Sequence, residues 1–343
     1  MGDCRQIGPV VKYGTMPDTI NASLRQSYLW PQFHVFQFIE NMRLTSLRGQ
    51  ADVSEEDIEK ESRFARNLLT VGNGQHDGID AILRDSDATK GSATLTLPLI
   101  QATADIDTAL QFIHPHGFNG ENRHKRLILA GTNVAVSQWN DLIQTMNTNP
   151  AREYLSDNLW DACDDPHGYL QECLTDSLLN RYESSQIPPH KLVLKVGDIC
   201  IVLRTLKLKQ NVATNTMVII ETLRAKTIQV RLVNSDRLVD IPRIRFRCKL
   251  PYLKSFEIQR TQFPFRLAYA LTFNKAQGQT LEKVLMDVRS PVFSHGFLYV
   301  GNSRVRNSKD LMYLANASDI DQDGSPTTDN VVYHPLLLPS SEN

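Results

Sequence analysis

The chain has 343 residues, 41% of them hydrophobic and 22% charged, a composition typical of a globular protein with two or more domains. No apolar run approaches the ~20 residues of a membrane span, which argues against a membrane-spanning protein. The five cysteines are odd in number and form no CxxC pair. They argue against a disulfide scaffold or a zinc ribbon and favour a reducing, intracellular compartment.

The near-neutral net charge of −1 hides a strong segregation of charge along the chain. Residues 190–310 carry 22 Lys and Arg against 8 Asp and Glu, a net charge of +14, and the remainder carries −15. This asymmetry suggests a polyanionic partner for the C-terminal half. A solvated basic face explains the charge equally well.

The first third of the chain predicts a polar N-terminal loop followed by helices. Ser54 to Gly74 reads as a helix, because Ser54 can cap it, acidic residues follow the cap, and Asn73-Gly74 can end it. His76 to Thr94 is rich in Gly and Asp and is interpreted as a loop. Asp105 to Phe112 is a second helical segment.

A strand–loop–helix unit follows in the middle of the chain. Arg126 to Ala130 is predicted as a strand and Val134 to Met146 as a helix, with Gly131-Thr132-Asn133 between them. This loop can offer amides and a hydroxyl to a phosphate. Simple N-capping by Thr132 or Asn133 fits the same residues equally well.

After Pro188 the sequence changes to short strands at close spacing, which predict a small β-barrel inserted into an α/β frame. The strands are Lys191 to Gly197, Ile199 to Leu203, Met217 to Glu221, Ile228 to Val233 and Leu238 to Ile241.

The stretch Phe263 to Leu281 predicts a ligand-binding loop. Its apolar run Leu267 to Leu271 has the length of a buried strand, and a polar, glycine-containing loop follows it directly. Open α/β sheets place their ligand-binding groups where buried strands end in such loops.

Six collinear segments carry a resemblance to the PIF-type superfamily-one DNA helicases, and especially to the helicase part of Helitron transposon proteins. The segments are MGDCRQIGPVV, WPQFHVFQFIENMRL, ILAGTNVAVSQWN, IPPHKLVLKVGDICIVLRTL, FRLAYALTFNKAQGQTL and PVFSHGFLYVGNSRVRN. The resemblance runs in order from Gly2 to about Ala315.

The resemblance implies an α/β fold of RecA-like motor domains, as in P-loop NTPase helicases. It implies a remnant of the first motor domain at 1–48, the second motor domain at 49–186 and 257–318, and an inserted small β-barrel at 187–256. We expect residues 319–343 to form a disordered tail.

The resemblance also implies roles for individual residues. Asp3, Gln277 and Gly278 would contact the nucleotide, Gln6 would sense its γ-phosphate and the attacking water, and Arg43 and Arg304 would reach the γ-phosphate. Single-stranded DNA would be held by Thr132, Asn133, Thr272, Asn274 and Lys275. ATP and Mg²⁺ would be the cofactors, and no metal-ligating residue is assigned in this chain.

Departures from the family pattern shape the functional expectation. The sequence contains no GxxxxGK[ST] phosphate loop and no strand-borne Asp-Glu pair for magnesium, and Gly301-Asn302 replace Ala-Leu before Ser303-Arg304. We therefore expect a helicase fragment that hydrolyses ATP poorly on its own.

By resemblance, the helicase would translocate 5′ to 3′ on single-stranded DNA or at DNA junctions, in replication, repair, recombination or telomere maintenance. Its expected location is the nucleus, with the mitochondrion as the alternative. Two other hypotheses stay open, namely a non-catalytic single-strand-binding remnant of a Helitron helicase and a relic that does not fold stably.

Overall fold

The computed structural model describes residues 2–11, 14–36, 40–42, 44–45, 54–75, 82–87, 89–119, 122–162, 175–184, 186–206, 212–249 and 256–337. The chain divides into two compact units. Unit 1 contains residues 1–136 and 271–343, and unit 2 contains residues 137–270. The domain boundaries predicted from the sequence stay predictions.

The α-helices of the described residues are α1 Met16–Asn21, α2 Glu55–Asn73, α3 Ile106–Ile113, α4 Asn133–Thr145, α5 Asp176–Arg181, α6 Phe273–Ala276 and α7 Phe297–Asn302. Helix α2 begins and ends as its sequence predicts. Ser54 Oγ accepts a hydrogen bond from the Asp57 N–H, and Gly74 ends the helix in the left-handed conformation.

The strands of unit 1 are β1 Ile82–Asp87, β2 Ser92–Thr96, β3 Gln101–Thr103, β4 Arg126–Ala130, β15 Ala270–Thr272, β16 Lys283–Asp287, β17 Leu311–Leu314 and β18 Thr327–Val331, with β15 beginning on the last residue of unit 2. Those of unit 2 are β5 Ala151–Leu155, β6 Asp157–Ala162, β7 Lys191–Lys195, β8 Ile199–Val202, β9 Met217–Leu223, β10 Thr227–Leu232, β11 Leu238–Pro242, β12 Ile244–Lys249, β13 Phe256–Gln262 and β14 Phe265–Leu267.

A five-stranded sheet of order β15-β4-β16-β17-β3 forms the centre of unit 1. Strand β16 runs parallel to β4 and β17, and β17 runs parallel to β3. Residues Leu127 to Ala130 of β4 and Val284 to Met286 of β16 are fully buried, as their continuous apolar runs predict. The parallel arrangement places the carboxyl ends of β4 and β16 side by side, with Ala130 opposite Asp287.

A second sheet of unit 1 corrects two sequence expectations. Strands β1, β2 and β18 form an antiparallel sheet, with β2 in the middle. The predicted loop from His76 to Thr94 is therefore wrong over β1 and the start of β2, and its residues 76–81 and 88 lie outside the described residues. The predicted disordered tail is wrong for Thr327–Val331, which forms strand β18. This segment has little strand pattern of its own, and its pairing with β2 supplies hydrogen-bond partners for its backbone.

Unit 2 is built from antiparallel sheets. Its largest sheet has the order β11-β10-β9-β8-β14, and smaller ones have the orders β12-β13-β6 and β5-β7. The strands predicted from Lys191 to Ile241 are all present, and they bury an apolar core that includes Leu194, Val202, Ile220, Val230 and Phe265. The largest sheet is open in its recorded order, with β11 and β14 as its edge strands.

The predicted strand Leu267 to Leu271 is wrong, because two short strands replace it. Strand β14 pairs with β8 in unit 2, whereas β15 joins the parallel sheet of unit 1. Asn140 binds the backbone at the break between the two strands. Its side-chain Oδ1 accepts hydrogen bonds from the N–H groups of Tyr269 and Ala270, both at 2.9 Å. None of the helices in the described part of the chain is long and apolar enough to cross a membrane.

Candidate nucleotide and DNA site

Three predicted nucleotide-site residues meet in one hydrogen-bonded cluster in unit 1. Gln277 Nε2 donates to Gln6 Oε1 at 2.9 Å, and Gln6 Nε2 donates to Asp3 Oδ2 at 3.3 Å. The hydroxyl of Tyr299, on helix α7, donates to the same Asp3 oxygen at 3.0 Å. We call Asp3, Gln6, Gln277 and Tyr299 the amide cluster. It brings together the N-terminal loop, the loop after α6 and helix α7.

A tight turn gives the N-terminal loop its shape. The Gln6 N–H donates to the Asp3 carbonyl at 3.1 Å, and the Arg5 N–H donates to Asp3 Oδ1 at 3.1 Å. Arg5 Nε also donates to Asn73 Oδ1 at 2.7 Å, which ties the loop to the end of helix α2. The loop is therefore fixed at its backbone and at one of its side chains.

His295 anchors the same loop from the other side. Its Nδ1 accepts from the Tyr333 N–H, so Nε2 carries the proton and donates to the Cys4 carbonyl, both at 3.0 Å. Burial lowers the pKa of His295, which keeps the imidazole neutral, as this pattern requires. The neighbouring Gly296 has φ +76°, and a Cβ there would lie 2.5 Å from the Arg5 carbonyl oxygen.

The ionisation of Tyr299 fits its role as a donor. Burial, followed by the charge of Asp3, raises the pKa of Tyr299 to about 12. The hydroxyl therefore keeps its proton at neutral pH and donates to the Asp3 carboxylate. This arrangement leaves the Gln6 amide oriented by one acceptor, Asp3, and one donor, Gln277.

The structure places Arg304 close to the cluster but ties its guanidinium to neighbouring groups. Nε donates to the Val300 carbonyl at 2.8 Å, NH1 to the Gln279 carbonyl at 3.1 Å and NH2 to Ser303 Oγ at 2.8 Å. The residue is 7% exposed. Arg304 thus braces the loop that contains Gln277, and its predicted contact with a γ-phosphate stays a prediction.

Of the other two residues predicted to contact the nucleotide, the structure describes Gly278 but not Arg43. Gly278 has φ +82° and is exposed, with open space where a Cβ would lie. Arg43 lies outside the described residues. The replacement of the family's leucine by Asn302 is accommodated by Tyr313, whose hydroxyl donates to Asn302 Oδ1 at 2.6 Å in the core.

Two of the five predicted DNA-contact residues lie at the carboxyl end of strand β4. Thr132 and Asn133 are both exposed. Thr132 Oγ1 accepts from the Ala135 N–H at 3.2 Å, so the capping role weighed from the sequence is present. The predicted contact of these two residues with DNA stays a prediction.

The other three lie where strand β15 gives way to helix α6. Asn274 is exposed, whereas Thr272 and Lys275 are half-buried. Gln279 Nε2 donates to the Lys275 carbonyl at 3.3 Å, and Arg304 holds the Gln279 carbonyl. One short segment thus joins the predicted DNA contacts to Gln277 of the amide cluster.

Sequence reasoning missed the residues that hold this site together. Tyr299 and His295 lie in the segment PVFSHGFLYVGNSRVRN, but their contacts to Asp3 and Cys4 span almost the whole chain. Asn140 is the last residue of the segment ILAGTNVAVSQWN, and an asparagine on the apolar face of a predicted helix was the available signal. No group of three or more His, Cys, Asp or Glu among the described residues could hold a metal ion.

Comparison with known protein families confirms the predicted resemblance to PIF-type helicases. Residues 1–81 match the PIF1-like helicase family. The ATP-dependent DNA helicase Pif1 of Campylobacter jejuni is 40% identical over 72 residues, which is 18% of this chain and 16% of that protein. The ATP-dependent DNA helicase RRM3 of Saccharomyces cerevisiae is 36% identical over 76 residues, which is 22% of this chain and 9% of that protein.

Solved structures confirm the predicted α/β fold. A Bacteroides Pif1 bound to single-stranded DNA matches 99% of this chain with a TM-score of 0.56 and 17% identity. The Bacteroides Pif1 helicase in complex with ADP-AlF3 and single-stranded DNA matches 98% with a TM-score of 0.57 and 18% identity. This chain covers 63% of each of those chains.

Proposed function

We propose that this relative of the PIF1-like helicases is part of an ATP-dependent DNA helicase that moves along single-stranded DNA. The observation that carries the proposal is the amide cluster. Gln277, which lies two residues after Lys275 in the chain, donates a hydrogen bond to Gln6 in this cluster. A segment that holds DNA phosphates at Lys275 would thereby be joined to groups that face a nucleotide. This is the connection that a DNA motor needs.

The residues of the cluster fit one side of a nucleotide. ATP would supply the phosphoryl transfer whose energy drives movement, with Mg²⁺ as its partner ion. The amide of Gln6 can both donate and accept, so it can orient a water or sense a phosphate oxygen. Asp3 and Tyr299 would hold that amide in place, and Arg304 would position the loop of Gln277.

The wider biological role belongs to the same proposal. The solved Pif1 helicases were bound to single-stranded DNA or act at forked double-stranded DNA, which supports single strands and junctions as the partners of this chain. Movement from 5′ to 3′, a role in replication, repair, recombination or telomere maintenance, and a nuclear location follow from the resemblance.

A second candidate is a single-strand-binding protein without ATP turnover, derived from a Helitron helicase. The internal hydrogen bonds of Arg304 favour it, because they occupy a guanidinium that catalysis would need at the γ-phosphate. The predicted DNA-binding residues Thr132, Asn133 and Asn274 are nonetheless exposed.

ATP hydrolysis with and without oligo(dT), measured beside oligo(dT) binding, separates the two candidates. Hydrolysis stimulated by DNA and lost in Gln6→Ala supports the helicase. Binding without hydrolysis supports the single-strand-binding protein. A chain that binds no DNA at low salt contradicts both.

A further inference from the structure

Phe293 is an exposed aromatic side chain at the carboxyl edge of the parallel sheet. It follows strand β16, whose last residue Asp287 lies opposite Ala130, the last residue of β4. Gly131 directly follows β4, and a Cβ placed on it would lie 3.5 Å from Cε1 of Phe293. The ring therefore lies beside the loop that contains Thr132 and Asn133.

The ring is 60% exposed and packs on a buried aromatic side chain. It meets the buried ring of Phe297 edge-on, with ring centroids 5.2 Å apart and planes 68° apart. Phe297 in turn packs against the buried ring of Phe273, with centroids 5.1 Å apart. We call Phe293, Phe297 and Phe273 the aromatic ladder, and its ring contacts favour one orientation of the exposed ring.

The two ends of the ladder lie at the two predicted DNA loops. Phe293 lies beside Gly131-Thr132, and Phe273 directly precedes Asn274 and Lys275 in helix α6. Single exposed apolar residues are common on protein surfaces. Phe293 differs from an isolated exposed residue because its ring lies beside Gly131 and packs on Phe297. A strand held at Thr132 and Asn133 would therefore pass close to this ring.

We propose that Phe293 is a stacking platform for one nucleobase of a bound single strand. The proposal rests on the proposed function, since it needs a strand held by the flanking loops. Every base has a π-face, so a phenylalanine that stacks on it contributes affinity without reading sequence. Phosphate contacts from Lys275 and the exposed polar groups of Thr132 and Asn133 would set the path of the backbone.

Binding of the full chain to fluorescein-labelled oligo(dT) of 12 nucleotides tests this role, beside an abasic strand of equal length. Phe293→Ala should weaken oligo(dT) binding about tenfold or more and leave abasic binding unchanged. The control Phe36→Ala removes another exposed ring of unit 1, 87% exposed, and should change neither.

Phe293→Trp provides a readout that does not depend on loss of function. It should keep the affinity, and its extra fluorescence over the parent chain should be quenched by oligo(dT) but not by the abasic strand. Equal affinity of Phe293→Ala for oligo(dT), or equal weakening for both strands, overturns the platform. If the parent chain binds neither strand, the proposed function itself is wrong. This result differs from the two results that overturn only the platform.

Discussion

The side-chain amide of Gln277 donates a hydrogen bond of 2.9 Å to Oε1 of Gln6, a residue 271 positions away in the sequence. The contact joins the N-terminal loop to the loop after helix α6. That bond can be tested separately from catalysis.

A double-mutant cycle should detect this bond. Gln6→Ala and Gln277→Ala should each lower the free energy of unfolding, and the coupling between them should be about 0.5–1 kcal/mol in urea unfolding. The pair Gln6→Ala and Gln101→Ala, an exposed glutamine of the same unit, serves as the control. Additive effects in both cycles would show that Gln6 and Gln277 do not interact in solution.

Gly296→Ala should displace the N-terminal loop. The new Cβ would lie 2.5 Å from the Arg5 carbonyl oxygen and 2.7 Å from the Gln6 carbonyl carbon, in addition to the cost of φ +76° for a residue with a side chain. Amide hydrogen exchange at Arg5 and Gln6 should become faster.

Gly324→Ala is the matched control for that variant. Gly324 has φ +82° with open space around a Cβ, so alanine there adds the backbone strain without the collision. If both variants leave exchange at Gln6 unchanged, the loop is not held as described.

The stability of the chain should fall in mild acid because of His114. Burial, with help from Arg123 and Arg126, lowers the pKa of this histidine from 6.5 to about 4, and its ring nitrogens have no hydrogen-bond partner among the described residues. Between pH 6.5 and 4 the unfolded chain therefore binds a proton that the folded chain does not. The stabilisation is complete above pH 6.5 and is lost as pH falls towards 4.

Replacing His114 should remove this acid sensitivity. The linked loss is on the order of 3 kcal/mol. Thermal unfolding of His114→Leu from pH 7.5 to 4.5 should show a shallower decline than the parent chain, whereas His116→Leu, at an exposed position, should not. If thermal stability declines with pH equally in the parent chain and in His114→Leu, His114 is not a buried neutral histidine.

Asn140→Ala should be strongly destabilising, because it removes three hydrogen bonds from the backbone of buried residues. The side chain accepts from the Tyr269 and Ala270 N–H groups and donates to the Ala270 carbonyl at 3.1 Å. We expect a loss of about 2–4 kcal/mol in urea unfolding. Asn149→Ala, which removes an exposed bond to the Val196 carbonyl, should cost less than about 1 kcal/mol.

Asn140 also shows why part of the fold escaped the sequence. Local patterns predicted strand β4 and both ends of helix α2 to the residue, since caps and apolar runs act over a few positions. The break between β14 and β15 depends on a side chain about 130 positions away. Pairing of β18 with β2 is likewise non-local, and no window of sequence contains both strands.

The candidate site divides in the same way. The motifs assigned Asp3, Gln6 and Gln277 to one nucleotide site, and the structure joins these three residues by hydrogen bonds. The position of the Arg304 guanidinium, in contrast, depends on the local backbone. Its hydrogen bonds to Val300 and Ser303 come from its own turn, which a motif match does not specify.

The salt dependence of single-strand binding tests the central claim most directly, namely that the segment after β15 holds DNA phosphates. The slope of log Kd against log salt for oligo(dT) should decrease by about 0.7 in Lys275→Ala, the value of one released counterion. Lys90→Ala, at an exposed turn of the same unit, should leave the slope unchanged. An unchanged slope in Lys275→Ala, or an equal decrease in both variants, would contradict the claim.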